Sequence, residues 1–128
     1  MNETKSTFET LEVWIKAREF RRKISNLTKT FPSEEKYKLT DQMIRASRSV
    51  TANVAEGYGR FHFQENIQYC RQARGSLYEL IDHLTVSLDE KYISQEIYKT
   101  YKTEIFEIVK LLNGYIKYLR ERKENDGK

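Results

Sequence analysis

Five arginines in the middle of the chain have the types and spacings that suit anion binding. Two pairs are each three residues apart, so in a helix the members of each pair lie one turn apart on the same side. A fifth arginine lies between the two pairs in the chain. The guanidinium group can donate several hydrogen bonds to one phosphate. The sequence therefore predicts a nucleic-acid-binding site at Arg45, Arg48, Arg60, Arg71 and Arg74.

Two other basic groups stand elsewhere in the sequence. The first, near the N-terminal end, consists of Arg18, Arg21, Arg22 and Lys23. The second, near the C-terminal end, consists of Lys99, Lys102, Lys110 and Lys117. Tyrosines interleave with the second group and could stack on bases. Each group fits either a phosphate contact or an ordinary solvated surface, and the sequence contains no RNA-recognition motif.

Catalytic and metal chemistry have little support in the sequence. Glu79 and His83 are four residues apart, so one helix face would present a carboxylate and an imidazole. The other histidine, His62, lies in a predicted turn, and Cys70 falls at a core position of a helix. A di-iron bundle needs two Glu-x-x-His motifs, and the chain has none. We predict a non-enzymatic protein with no catalytic residue, no metal site and no cofactor.

Composition indicates a helical protein with a large polar surface. The chain has 128 residues, of which 38% are apolar and 33% are charged, and it contains one proline. No apolar run is long enough to span a membrane, and we expect no signal peptide. The single cysteine fits a reducing cytoplasm. The net charge is +4, yet residues 61–90 hold two basic and five acidic residues; this asymmetry either steers a polyanion or matches neighbouring helices.

Apolar residues repeat at alternating steps of four and three, the pattern of amphipathic helices. The predicted helices span about 9–30, 34–56, 63–89 and 95–122. Flexible ends are predicted at 1–8 and 123–128. Four such helices joined by short turns must fold back on one another, so we predict an all-α fold, an antiparallel up-down-up-down four-helix bundle.

Local signals mark the helix ends. Pro32 separates the first two helices, and Ser33 is the expected N-cap of the second. Gly57 suits the left-handed position that follows a helix, and Ser94 is the expected N-cap of the fourth helix. Gly75 lies inside the third helix, where a close helix contact would be one reason to keep a glycine.

Two polar residues, Asn53 and Arg74, interrupt otherwise apolar seams. One interpretation is a polar network that fixes helix register or a subunit contact, as buried asparagine does in coiled coils. In the other interpretation, Arg74 bends along the seam and reaches water. Glu56 and Glu79 are the candidate carboxylate partners of Arg74. The predicted network consists of Ser49, Asn53, Glu56, Ser76 and Glu79.

Several motifs resemble one protein family. They are TLEVW at 10–14, FPxxExYxL at 31–39, QxxRAxxSVxANVAEG at 42–57 and ARGSLxEL at 73–80. The chain is similar over about 8–123 to the four-helix-bundle proteins encoded in intervening sequences of bacterial 23S ribosomal RNA genes, often described as ribosomal proteins.

The resemblance implies a four-helix bundle assembled as a ring, typically a homopentamer. The family is also similar to the accessory protein of diversity-generating retroelements, a pentamer that binds nucleic acid and the reverse transcriptase. The family name reports a gene location more than an activity. We therefore expect a cytoplasmic homo-oligomer that binds RNA or DNA through its basic residues. The alternative is a structural or adaptor oligomer that binds a protein partner.

Overall fold

The computed structural model describes residues 7–126, which consist almost entirely of helices. The four α-helices are α1 (Glu12–Thr28), α2 (Leu39–Gly59), α3 (Phe63–Asp89) and α4 (Gln95–Asp126). Single 3-10 turns at Phe8–Thr10 and Ser33–Glu35 precede α1 and α2. The described range contains no strand, so the all-α prediction with four helices is confirmed.

Each helix packs against two others, in the cyclic order α1, α2, α3, α4. Residues that come later in α2 contact residues that come earlier in α3. Ser49 contacts Ser76, whereas the earlier Met43 contacts the later Ser87. The same reversal joins α3 to α4 at Gln64–Lys123, Arg74–Asn113 and Tyr78–Phe106. These contacts are compatible with the predicted antiparallel bundle.

The core lies where the four apolar seams meet. Its fully buried large side chains include Ile24, Met43, Val50, Leu77, Leu80, Leu84, Ile105 and Leu112. Burying one such side chain contributes roughly 1.5–3 kcal/mol. Packing of these faces, rather than helix propensity alone, therefore holds the long helices together.

The start of α2 differs from the prediction. The sequence predicts a helix from residue 34 capped by Ser33, but α2 begins at Leu39. Residues 33–35 form a separate 3-10 turn, and Lys38 has a non-helical backbone. The Glu35 carboxylate accepts hydrogen bonds from the Leu39 N–H at 3.3 Å and from the Tyr92 hydroxyl at 2.8 Å. This tie to the α3–α4 turn holds the segment out of the helix.

Gly57 does not terminate α2, as the sequence predicts, but lies inside it and is buried. The left-handed conformation falls instead on Phe61, with a φ of 60°. A Cβ atom on Gly57 would lie 2.7 Å from Asn66 Oδ1 and 2.9 Å from Tyr69 Cβ. The glycine therefore allows α3 to approach closely. The expected helix contact at Gly75 is wrong within the chain, because a Cβ atom there would meet nothing within 4 Å.

Elsewhere the helix ends lie near their expected positions. α3 spans the same residues as its prediction. The N-cap prediction for Ser94 is confirmed, since its Oγ accepts a hydrogen bond from the Ile97 N–H at 3.1 Å. α4 continues to Asp126, four residues beyond the predicted end at 122. The predicted flexible N-terminus falls mainly on residues 1–6, which lie outside the described residues. No helix within 7–126 combines the length and apolar character that crossing a bilayer requires.

Candidate anion-binding surfaces

The five predicted arginines divide between two sides of the bundle and the turn that joins α2 to α3. Arg48 on α2 lies beside α1, whereas Arg74 on α3 hydrogen-bonds to Asn113 on α4. Arg60 directly follows α2. The structure therefore gives two separate basic surfaces in place of one five-arginine site.

The first surface, the arginine cluster, joins α1 to α2. It consists of Arg18, Arg21, Arg22 and Arg48. Arg21 Nη1 donates a 2.8 Å hydrogen bond to Thr51 Oγ1, one helical turn after Arg48. Burial lowers the pKa of the Arg21 guanidinium, and the charges of Arg18, Arg22 and Arg48 lower it further. Like charges thus crowd here, and a bound anion would relieve their repulsion.

The arginines of the cluster differ in the contacts that they make within the chain. The Arg18 guanidinium lies 5.7 Å from the centre of the Trp14 ring, a cation–π contact. Arg22 and Arg48 are exposed and form no ion pair with any residue in 7–126. The neighbouring carboxylate of Glu19 lies 3.9 Å from Lys16. The donors of Arg22 and Arg48 are therefore open to a ligand.

Arg45 and Arg60 already have acidic neighbours within the chain. Arg45 Nε lies 2.9 Å from Asp41 Oδ2. Arg60 Nε lies 3.1 Å from Glu56 Oε2, and its Nη2 donates to the Tyr69 hydroxyl at 2.8 Å. The guanidinium of Arg60 also lies 5.3 Å from the Tyr69 ring centre. These two arginines offer less unopposed charge than the cluster does.

The second surface, the α3–α4 face, joins two basic groups that are far apart in the sequence. On α3, Arg74 Nη1 donates to Asn113 Oδ1 at 2.6 Å, and Arg71 precedes it by one turn and is exposed. On α4, Lys99 and Lys102 line a surface depression of about 480 Å³. Phe106 lines the same depression and contacts Tyr78 on α3, so charges from both helices lie along one side of the bundle.

Part of the predicted polar network forms between α2 and α3. Ser76 Oγ donates to Ser49 Oγ at 2.9 Å. Asn53 Nδ2 donates to the Ser49 carbonyl at 2.9 Å and to its Oγ at 3.0 Å. These three side chains fix one level of the α2–α3 contact.

The two carboxylates of the predicted network lie outside it. Glu56 binds Arg60 and Glu79 binds His83, each one turn further along its own helix. Their assignment as partners of Arg74 is wrong, because Arg74 reaches the surface and bonds to Asn113. The interpretation in which Arg74 extends to the surface agrees with this geometry.

The remaining chemically versatile residues do not assemble into a site. Cys70 is fully buried, and burial raises the pKa of its thiol to about 12, so it stays protonated at neutral pH. Within 7–126, no three acidic, histidine or cysteine side chains converge as metal ligands would. His83 faces Glu79 at 3.0 Å.

Two polar partners are not predicted from the sequence, namely Thr51 and Asn113. Thr51 lies on the buried side of α2 and receives Arg21, while Asn113 lies on the exposed side of α4 and receives Arg74. Identifying either partner requires the rotation of one helix against another. A single amphipathic pattern specifies only which side faces the core.

A third feature is the α1–α4 groove, a depression of about 770 Å³. It is lined by Lys16, Glu19, Lys23, Glu104, Glu107, Ile108, Lys110, Leu111 and Gly114. Lys23 binds Glu104 across it. Three lysines and three glutamates balance in charge, so the groove attracts a polyanion less than the two basic surfaces do.

Comparison with known proteins gives two matches. A family model described as 23S rRNA-intervening sequence protein matches residues 9–114. The chain is also similar to a crystal structure from Bacteroides thetaiotaomicron VPI-5482, described as a protein with unknown function from the S23 ribosomal protein family. The two chains are 29% identical with a TM-score of 0.75, over 82% of this chain and 95% of that one. No curated protein matches the chain.

Proposed function

Because the chain belongs to the 23S rRNA-intervening sequence protein family, we propose that it is a non-enzymatic, ring-forming protein of the cytoplasm that binds structured RNA. The observation that carries the proposal is the arginine cluster. Its two open members, Arg22 and Arg48, come from different helices and form no ion pair within the described range. The planar donors of a guanidinium match phosphate oxygens, which they can bind with two parallel hydrogen bonds.

A ring would strengthen this site, because each subunit would add one copy of the cluster. Each phosphate that is neutralised releases condensed counterions, so the affinity of several copies falls steeply with salt. The expected assembly is a homopentamer, as in the family that the sequence resembles. Light scattering tests this assembly, and a monomer at micromolar concentration would contradict it.

The test of RNA binding compares variants across a salt series. The ligands are ribosomal RNA fragments and a random-sequence duplex, each at several salt concentrations. We expect Arg22→Ala with Arg48→Ala to weaken binding and to reduce the slope of log affinity against log salt by roughly 1.5, at 0.7–0.9 per phosphate contact. The matched control is Arg45→Ala, because Arg45 is also exposed on α2 but lies against Asp41.

Two outcomes would contradict the proposal. Absence of binding by the unaltered protein at low salt would exclude an RNA-binding role. A loss in Arg45→Ala half as large as that in the cluster variant, which removes two charges, would mean that binding depends on total charge alone. Circular dichroism melting of each variant checks that the fold is kept.

The alternative, a structural or adaptor oligomer, is favoured by a different observation. Phe61 is 86% exposed and Tyr37 is 83% exposed. Large exposed aromatics are frequent anchors in protein interfaces. A partner that stays bound after nuclease treatment, and that is lost on Phe61→Ser, would support this alternative.

A further inference from the structure

We propose that the α3–α4 face stacks an unpaired nucleobase on Tyr78 and Phe106, with the flanking phosphates on the cations at either end. This inference rests on the proposed function but concerns a different surface from the arginine cluster. It assigns single-stranded RNA segments to the α3–α4 face, whereas the cluster contacts phosphates whatever their pairing.

The two rings form an exposed pair. Their centroids are 6.2 Å apart with an interplanar angle of 78°, an edge-to-face contact. Tyr78 is 51% exposed and Phe106 is 42% exposed. A base laid on this pair would cover apolar area and gain stacking energy.

The cations around the rings repeat with the same spacing on both helices. Arg74 and Arg71 precede Tyr78 by four and seven residues. Lys102 and Lys99 precede Phe106 by four and seven residues as well. At 1.5 Å per residue, the cations on each helix stand about 6 and 10.5 Å before their ring along the axis.

The reversed order of the α3–α4 contacts places the two pairs of cations on opposite sides of the rings. Tyr78 meets Phe106, and the earlier Arg74 meets the later Asn113. The arginines therefore lie toward one end of the bundle and the lysines toward the other. A single strand has a phosphate on either side of each base, which matches this arrangement of cations on either side of the rings.

Few acidic side chains oppose these charges. Glu79 faces His83, and Glu107 lines the α1–α4 groove on the other side of α4. Asp82, one turn after Tyr78, and Glu96, one turn before Lys99, remain. Four cations against these two carboxylates favour an anionic occupant over a neutral one.

A nucleic acid fits this face better than an acidic peptide. A peptide would satisfy the cations through carboxylates but would place flexible aliphatic stems on the rings. A base supplies a rigid π-face for the aromatic pair, and every base has one, so the contact tolerates different sequences. Arg74, which donates a hydrogen bond to Asn113, also presents a planar guanidinium on which a base can stack.

The experiment uses a short single-stranded RNA in which one 2-aminopurine lies among uridines, and the same RNA annealed as a duplex. The variant is Tyr78→Leu with Phe106→Leu, which keeps apolar bulk and removes the π-faces. We expect its affinity for the single strand to fall about 10-fold. The quenching of 2-aminopurine should be lost, while the salt slope and duplex affinity stay unchanged. The matched control is Tyr37→Leu, an exposed aromatic between α1 and α2.

The outcomes separate this inference from the proposed function. If the arginine-cluster variant loses binding while Tyr78→Leu with Phe106→Leu keeps both affinity and quenching, the stacking site is wrong and the proposed function stands. An equal loss for single strand and duplex, or equal competition by a poly-glutamate peptide, also overturns the stacking site. If the unaltered protein binds neither RNA, both proposals fail.

Discussion

The α2–α3 contact is close, whereas the α1–α4 contact is open. Between α2 and α3, small residues let the two backbones approach each other. The space beside Gly57 is too small for a Cβ atom, and the hydroxyl of Ser49 contacts that of Ser76. Between α1 and α4, a groove of about 770 Å³ remains, and Lys23 crosses it to Glu104.

The difference shows how the small side chains at the α2–α3 contact support the two basic surfaces. A close helix pair leaves little freedom for rotation, because packed interiors resist small displacements. Each basic surface takes part of its side chains from this pair, Arg48 from α2 and Arg74 and Tyr78 from α3. The other side chains come from α1 and α4. The α2–α3 contact therefore acts as a frame for the cations, while the α1–α4 contact can tolerate change.

The largest expected effect is at the closest point of the frame. Gly57→Ala places a Cβ atom 2.9 Å from Tyr69 Cβ and 3.1 Å from the Asn66 carbonyl, so α3 itself must move. Overpacking costs about 1–3 kcal/mol, against a gain of roughly 1 kcal/mol in helix propensity. Because the Cβ contacts at 2.7 and 2.9 Å are closer than side chains allow, the cost falls at the upper end of this range, and we expect a net loss of about 2 kcal/mol in urea denaturation. Unchanged or increased stability would mean that the contact is loose.

The free energy of unfolding, measured as a function of pH, tests how well the core around Cys70 excludes water. Burial raises the pKa of the Cys70 thiol from 9.0 to about 12. Between these values the unfolded chain loses this proton and the folded chain keeps it, so stability falls as pH rises from 9 to 12. Below pH 9 the contribution is complete.

The variant Cys70→Ala isolates this effect from other groups that titrate in alkali. Its free energy of unfolding should fall less steeply, by about 1 kcal/mol per pH unit. Slopes are compared rather than absolute values, because the substitution also removes buried volume. Parallel slopes for the two proteins would show that water reaches the thiol.

The serine contact tests the frame at a second level. Ser49→Ala removes a hydrogen-bond partner from both Ser76 and Asn53, so we expect a loss of about 1 kcal/mol. Ser76→Ala should cost less, because Ser49 keeps its bond from Asn53. The double variant should cost less than the sum of the single ones. Additive losses in the double-mutant cycle would indicate that the two hydroxyls act independently.

Most of the helical architecture follows from the sequence, because alternating steps of four and three fix which side of each helix is buried. The same pattern does not fix how one helix is rotated against the next. Arg48 and Arg21 are 27 residues apart in the chain, and only the α1–α2 packing brings their charges together. The sequence predicts a helix end at Gly57, because glycine is common at the position that follows a helix. In the structure Gly57 lies inside α2, where α3 approaches closely, and the residues next to Gly57 in the sequence do not indicate this approach.

The smallest expected effect provides the matched contrast to Gly57. Gly114 lies inside α4, and a Cβ atom there would meet nothing within 4 Å. Gly114→Ala should therefore stabilise the fold by up to about 1 kcal/mol, through helix propensity alone. Gly75→Ala on α3 has the same open surroundings and should give the same gain.

The Gly114→Ala and Gly75→Ala variants also test which surfaces lie in subunit contacts of the proposed ring. If neither surface lies in a subunit contact, both variants should melt at a higher temperature with an unchanged mass by light scattering. A variant that loses mass would place its glycine in a subunit contact, since only a neighbouring chain could meet the added methyl group. Because Gly75 directly follows Arg74, a loss of mass there would also mean that the ring covers part of the α3–α4 face. Measuring RNA binding in the same variant then shows whether the subunit contact and the single strand compete for that face.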